Sequence, residues 1–476
     1  MKVLFVLPPK IEEGEMSRNL FSRLGSVLPL GLAYMAAVLE KDNHQVKILD
    51  FQLPNIDYKV LEKELENNYD VVGISITTMT SYSGYNIAKI VKKVAPNSIV
   101  LIGGSHTMAL GKEIFNECKE VDLIVFGEGE ITTKELMKTI EEKGDLHKVK
   151  GIGFKEKGKD VITETREMIE DLDSLPFPAY HLFDVKRYVP IAGMFKRLPF
   201  ANIISSRGCP YDCLFCNKQV WGYKLRVRSP ENIIEEIKYL VETYGIRELA
   251  FFDDTFTVDR DRAIKICRLI KEQAPKLIWK CSTRVNVVDP ELLKIMKDAG
   301  CYSIGYGIES GNQDILNKIN KKITLDQARD AIKWTKQVGI ETRCYFMLNH
   351  PGDNIETTEQ TIKFSKELNP DFVDFEITHP FPNTKLSKEI ESNPQKYKII
   401  KEEWYNWAAQ AGNHILYTQE GLPIEYLRKA YVRAIRGFYL RPNKILKLLT
   451  NSLTNYNLFK SYLMAFRNVL RAKVPN

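Results

Sequence analysis

The sequence predicts an α/β chain in three parts: an N-terminal open parallel sheet of the Rossmann-like kind, a partial (β/α)6 barrel of the TIM type, and a helical C-terminal region. Three observations predict it. Short apolar strands alternate with amphipathic helices over residues 1 to about 145, and a second alternation runs from about 196 to 395. A proline-punctuated stretch separates the two, and after about Asn393 only helical periodicity remains.

In the first alternation, KVLFVL, HQVKILD, VVGISITT, SIVLIGG and DLIVFG are strands. The clearest helices run from Leu30 to Lys41 and from Tyr85 to Val94. Continuous apolar strands imply a parallel sheet covered on both faces. Open sheets of this kind bind ligands at the carboxyl ends of their strands. The loops expected there are Pro8 to Lys10, Thr77 to Gly84, Gly103 to Leu110 and Gly127 to Glu130, rich in Gly, Ser and Thr. They suit a nucleotide-like or a corrinoid ligand, with Thr77, Ser105, His106, Gly127 and Glu128 as candidate contacts. Residues 146–195 read as a linker, with GIGFKEKGKDVITE as a small hairpin and DLDSLPFPAYHLFD as a connector. In the second alternation ANIISS, ELAFFDD, WKCSTRV, YSIGYGIES, ETRCYFML and DFVDFEI are strands. Six strand–helix units fall short of the eight in a closed barrel.

Composition narrows the function classes. The chain has 476 residues, 44% hydrophobic and 27% charged, with 27 Gly and 21 Pro, which excludes collagen-like, disordered and disulfide-framework proteins. MKVLFVLPPK is too short an apolar run for a signal peptide, and Val27 to Leu39, broken by Pro29 and Gly31, is too short to span a bilayer. A cytoplasmic protein with reduced thiols is expected. The net charge of +7 belongs to the tail: from Gly421 to Asn476 eleven cations face one acid, Glu425.

The strongest motif is SSRGCPYDCLFCN, where Cys209, Cys213 and Cys216 form CxxxCxxC directly after the first barrel strand. Thiolates at this spacing can bind three irons of a 4Fe–4S cluster and leave the fourth open. A zinc site would want a fourth ligand nearby, and no other Cys or His occurs between His181 and Cys267. Cys118, Cys267, Cys281, Cys301 and Cys344 are scattered among apolar neighbours, as buried cysteines usually are.

At these cysteines, with aromatic Phe215 before the third, the chain resembles the radical S-adenosylmethionine (SAM) enzymes. PLGLAYMAAVLE, IGGSHTM, FGEGE, SLPFPAY, GYGIESGNQDILNKINKKIT and PFPNTKL extend the resemblance over about 390 residues to the cobalamin-binding (class B type) branch. The tail with GFYLRP is similar to members resembling the anaerobic magnesium-protoporphyrin IX monomethyl ester cyclase. The resemblance implies a cobalamin-binding domain at 1–145, a radical SAM barrel at 196–395 and a basic helical region at 396–476. It implies three cofactors: a 4Fe–4S cluster, SAM and cobalamin. The expected reaction is methylation of an unactivated carbon through a 5′-deoxyadenosyl radical and methylcobalamin, for which the loop ends of sheet and barrel must face each other. The rival is cyclisation, oxidation or rearrangement without methyl transfer.

Site residues follow from the resemblance position by position. Phe215 is expected against the adenine, Asp253 and Asp254 near the methionine amino group, Arg284 near the methionine carboxylate, and Glu309 and Ser310 at the ribose hydroxyls. Where the family reads GLPGE this chain has LNHPGD, so His350 is the candidate for a substrate-specific acid, base or hydrogen bonder. No DxHxxG occurs, so the cobalt is expected to lack a protein imidazole on its lower face, with His106 the alternative ligand. Expected partners are a small-molecule substrate of hydrophobic or lipid character and an electron donor such as flavodoxin or ferredoxin. The basic tail suggests peripheral membrane contact. Nucleic acid is disfavoured, because the tail aromatics have helical spacing and no RNA-binding motif is present.

Overall fold

The computed structural model describes residues 1–10, 25–191, 193–400, 404, 414–442 and 444–446. The chain divides into two compact units, one of Met1–Pro190, Lys218–Arg228 and Glu403–Asn406, the other of Ile191–Asn217, Ser229–Glu402 and Trp407–Asn476.

The first unit is built on a seven-stranded sheet, order β2-β1-β3-β4-β5-β6-β7. Strands β1 (Lys2–Leu7), β2 (Gln45–Asp50), β3 (Val71–Ser75), β4 (Ile99–Gly103) and β5 (Leu123–Val125) are mutually parallel. Alternate residues of each strand feed two cores. Leu4, Val6, Val72, Ile74, Val100 and Ile102 pack with Ile87, Val91 and Phe115, while Val3, Phe5, Val71, Leu101 and Val125 pack with Leu32, Ala36, Leu136 and Met137. Burial on both faces is why these strands read as unbroken apolar runs. The hairpin expected in the linker continues this sheet instead. Strand β6 (Ile152–Glu156) pairs antiparallel with β5, then with β7 (Lys159–Ile162), because Ile152 and Phe154 supply an apolar face that joins the core. The first unit accordingly extends to Pro190.

The second unit carries a six-stranded, wholly parallel sheet in chain order. Its strands are β8 (Phe200–Ile203), β11 (Glu248–Phe251), β12 (Ile278–Thr283), β13 (Cys301–Glu309), β14 (Glu341–Leu348) and β15 (Phe372–Ile377). The short β9 (Ser206–Arg207) and β10 (Arg226–Val227) flank the cysteine segment in sequence. Helices following the strands open on Ser229, Asp259, Asp289, Thr324, Asn354 and Thr384, whose side chains each accept from a backbone N–H of the first turn. Along β14 and β15, Thr342, Cys344, Phe346, Leu348, Val373, Phe375 and Ile377 are buried, and the alternating Arg343, Tyr345, Met347, Asp374 and Glu376 form the more open inner face.

The open edge of β15 is covered by the helix Ile424–Tyr439, whose Tyr439 hydroxyl donates to the Val373 carbonyl (2.8 Å) and accepts from its N–H (3.0 Å). Three of the tail's cations serve this docking: Arg433 pairs with Glu359, Arg441 donates to the Lys366 carbonyl (3.2 Å), and Lys444 to that of Pro370. Helical periodicity alone was expected after Asn393, but β16 (Tyr397–Ile399) and β17 (Tyr417–Gln419) pair antiparallel, burying Tyr397 and Tyr417 against Leu386 and Ile390. Their strands are too short to show an alternation. Arg428, Lys429 and Arg436 lie on the same helix, Arg428 paired with Glu425 (3.0 Å), and the last five cations of the tail, Lys447, Lys460, Arg467, Arg471 and Lys473, lie outside the described residues.

Replacing Tyr439 by Phe strands both backbone groups of an edge residue. The expected loss is about 1–3 kcal/mol in denaturant unfolding of the full chain. An unchanged midpoint would show that the helix does not secure the edge.

Candidate functional site

The cysteine segment leaves β9 through Gly208 (φ 82°) and brings Cys209 and Cys213 into buried positions, with Cys216 partly exposed. The loop is tied down on several sides. Leu214 N–H donates to the Ile319 carbonyl (2.9 Å), Asn320 Nδ2 donates to the Asp212 carbonyl (2.7 Å), and the Asp212 carboxylate pairs with Lys385. Among the described residues no three His, Cys, Asp or Glu side chains converge as ligands of a single metal ion. A cluster takes one thiolate on each of three irons and does not require such convergence. The donor set fits a cluster: three cysteines on one anchored loop, with Thr255 Oγ1 3.7 Å from the Cys209 sulfur and Arg284 Nη1 directed at the Cys213 sulfur (3.6 Å).

Arg284 is buried and heavily engaged. Its guanidinium lies 3.7 Å from the Tyr211 ring centroid and donates to Asn286 Oδ1 (3.2 Å) and to the Lys321 carbonyl as well as to Cys213. These contacts tie the guanidinium to the cysteine loop. Asp253 is likewise occupied: its buried carboxylate accepts from Ser205 N–H (2.8 Å), Ser205 Oγ (2.5 Å) and Ser206 Oγ (2.6 Å), fastening the segment after β8 to the end of β11. Asp254 beside it is exposed.

Glu309 ends β13 in the left-handed region (φ 76°), next to an irregularity in its pairing with β14. Its carboxylate reaches Lys321 Nζ at 2.6 Å, both side chains being buried. A Cβ on residue 307 would stand 2.5 Å from Glu309 Oε1 and 2.9 Å from Lys321 Nζ, so glycine in GYGIES makes room for this pair. Ser310 is buried against Thr361 Oγ1 (3.2 Å) and accepts from Asn312 N–H (3.2 Å), a structural use of its hydroxyl.

His350 follows Asn349, whose φ of 68° suits the Asn that stands where the family has Gly. The imidazole is fully buried, its ring centroid 5.5 Å from that of Phe215, with Nδ1 3.1 Å from Thr378 Oγ1. Burial, and then the charge of Lys321, lower its pKa to about 3, so it is neutral at working pH and unsuited to proton transfer there.

Glu376 was missed at the level of sequence. It lies at the carboxyl end of β15, opposite Met347 on the inner face, with Asp374 (paired to Arg343, 2.8 Å) two residues before it. Burial, then the Glu309 and Asp374 carboxylates, raise its pKa to about 7. The acid–apolar alternation of DFVDFEI was the available signal.

In the first unit, Thr77, Ser105 and Gly127 stand exposed or partly exposed just beyond β3, β4 and β5. Gly104 (φ 107°) permits the turn after β4, since a Cβ there would lie 2.3 Å from the Ile76 carbonyl oxygen. The other two candidates turn inward. His106 is fully buried with Nδ1 3.3 Å from Thr78 Oγ1 and the Trp404 ring edge-on at 5.3 Å. Glu128 accepts from Arg226 Nη1 (2.6 Å) and Ile169 N–H (2.8 Å), a buried pair.

Comparison with known proteins agrees with this architecture. Residues 203–365 match the Radical SAM superfamily and residues 19–137 the B12 binding domain. An uncharacterized methyltransferase of Pyrococcus horikoshii is 35% identical over 94% of each chain. The anaerobic magnesium-protoporphyrin IX monomethyl ester cyclase of Rubrivivax gelatinosus is 28% identical over 86% of this chain and 72% of its own. Among solved structures, the fold is similar to that of the radical SAM methyltransferase TsrM from Kitasatospora setae, with a TM-score of 0.72 and 17% identity over 93% of this chain and 89% of that one.

Two outcomes test the site. Replacing Cys209, Cys213 or Cys216 by Ala should each remove the iron bound after anaerobic reconstitution, and full iron content in any of them would exclude the loop as its holder. Glu376 has a folded-state pKa above its unfolded value, so its stability contribution is present below the ordinary glutamate range and lost as pH rises through about 7. Glu376→Gln should therefore melt above the wild type at pH 8 and converge with it near pH 4. A difference independent of pH would contradict the burial of this carboxylate.

Proposed function

Because the chain belongs to the cobalamin-binding branch of the radical SAM superfamily, we propose that it methylates an unactivated carbon of a small molecule. Its cofactors are a 4Fe–4S cluster, SAM and cobalamin. The observation that carries the reading is the 35% identity to a protein named a methyltransferase, which extends over 94% of both chains and so includes both cofactor domains.

When bound, the cluster and SAM supply a 5′-deoxyadenosyl radical and cobalamin supplies the methyl group. The chain's own residues hold and enclose. Cys209, Cys213 and Cys216 would bind the cluster on a loop fastened by Arg284, Asn320 and Lys385. Glu309, held by Lys321, with Tyr345 and Glu376 gives the carboxyl half of the barrel polar groups, where a substrate can be oriented and water excluded, and the Arg343–Asp374 pair lies deeper, in the amino-terminal halves of β14 and β15. Thr77, exposed, and Ser105 and Gly127, partly exposed, stand just beyond β3, β4 and β5, where cobalamin would bind. The chain has no DxHxxG motif, and the His106 imidazole is buried in the first unit, so neither would offer a histidine to a bound cobalamin.

The likeness to the cyclase supports a second reading, in which the radical serves cyclisation or oxidation. A hydrophobic or lipid substrate reached by peripheral membrane contact rests on the basic tail alone, and three of its cations are used in docking the last described helix. Among the described residues no helix is long and apolar enough to cross a membrane. Electrons come from a donor of the flavodoxin or ferredoxin kind.

One measurement separates the readings. Methylation consumes two SAM per turnover, so S-adenosylhomocysteine, 5′-deoxyadenosine and methylated product should form in equal amounts, with deuterium carried over from methyl-labelled SAM. Unlabelled product accompanied by 5′-deoxyadenosine alone would transfer the assignment to the cyclase-like reading.

A further inference from the structure

Two candidate imidazoles, His106 and His350, keep a buried ring nitrogen without a hydrogen-bond partner among the described residues, and of the two it is His350 that lies beside the cysteine loop. Its main chain is fully used: the N–H donates to Asp353 Oδ2 (2.8 Å) and the carbonyl accepts from Gln419 Nε2 (2.7 Å). Its Nδ1 is matched with Thr378 Oγ1, but Nε2 is buried with no hydrogen-bond partner among the described residues. An orphaned polar atom in such a place costs on the order of 1–3 kcal/mol. A merely structural imidazole would be replaced by an apolar side chain at a gain. The ring lies beside Phe215, which is only partly buried, and Lys321 Nζ is 5.9 Å from the centroid of the Phe215 ring. Phe215 is the residue next to Cys216.

A partly exposed aromatic ring and an unsatisfied hydrogen-bonding atom, side by side and one residue from a cluster cysteine, are the two elements that hold a nucleobase: contact with its ring and reading of its edge. The Lys321 ammonium close by disfavours a cation and a protonated imidazole alike. A neutral heteroaromatic ring with nitrogen acceptors and an amino donor fits, and adenine is the only such part of SAM. We propose that His350 Nε2 hydrogen-bonds the edge of the SAM adenine, making His350 a cofactor-binding residue. The inference rests on the reading of this loop as the SAM site and is independent of whether the reaction is methylation.

The test uses the full chain with its cluster reconstituted and S-adenosylhomocysteine as an uncleavable probe, measured by equilibrium dialysis. Its 1-deaza, 3-deaza and 7-deaza analogues and its inosine counterpart each alter one edge group of the base. The wild type should bind at least one of these about tenfold more weakly than the parent. His350→Leu should bind the parent about tenfold more weakly and lose that discrimination, with iron content retained. His350→Gln, which restores a polar terminus, should recover part of both, and it serves as the working variant should the Leu protein load iron poorly. Equal binding of all analogues by the wild type, or unchanged discrimination in both variants, would overturn the proposal. Absence of any binding by an iron-loaded wild type would instead remove the cofactor site itself.

Discussion

Parallel strand pairing is the constraint from which the rest of this structure follows. Five parallel strands in one unit and six in the other must each be joined by a crossover, and the crossover helices cover the sheet faces. All strands of a unit then deliver their following loops to the same edge. The cysteine segment after β8, the Asp253 segment after β11, Arg284 after β12, Glu309 after β13 and His350 after β14 are therefore neighbours, although 141 residues separate Cys209 from His350. Residues 77, 105 and 127 share an edge of the first sheet for the same reason.

Within the second unit, most of the polar groups at that edge hold one another. Arg284 binds the loop through a ring face, a sulfur and a carbonyl. Asp253 collects three donors from Ser205 and Ser206, and Lys321 neutralises Glu309. A buried charge without a partner is costly, so these residues are in effect the fittings that keep a reactive centre rigid. Rigidity is what radical chemistry asks of a protein, because an intermediate able to abstract hydrogen from unactivated carbon must meet one atom and no other.

The exceptions are informative. His350 Nε2 is orphaned, and the carboxyl of Glu376 lies on the inner face among like charges that push its pKa to about 7. Groups left incomplete by the fold are those on which an incoming molecule can act, and such groups cluster at functional sites.

The sequence by itself determined the strand–helix alternation, the six barrel units and the cysteine triplet, because each is written in residues within a few positions of one another. The resemblance carried by CxxxCxxC, GYGIES and PFPNTKL was legible for the same reason. What only the tertiary structure decided is where charged side chains point. Glu128 turns to Arg226, 98 residues away, Arg284 to Cys213, 71 residues away, and the hairpin Ile152 to Ile162 joins a sheet where a linker was expected. Spacing along a chain encodes local geometry. The partner of a buried charge is set by which strands lie side by side, a property of the assembled sheet.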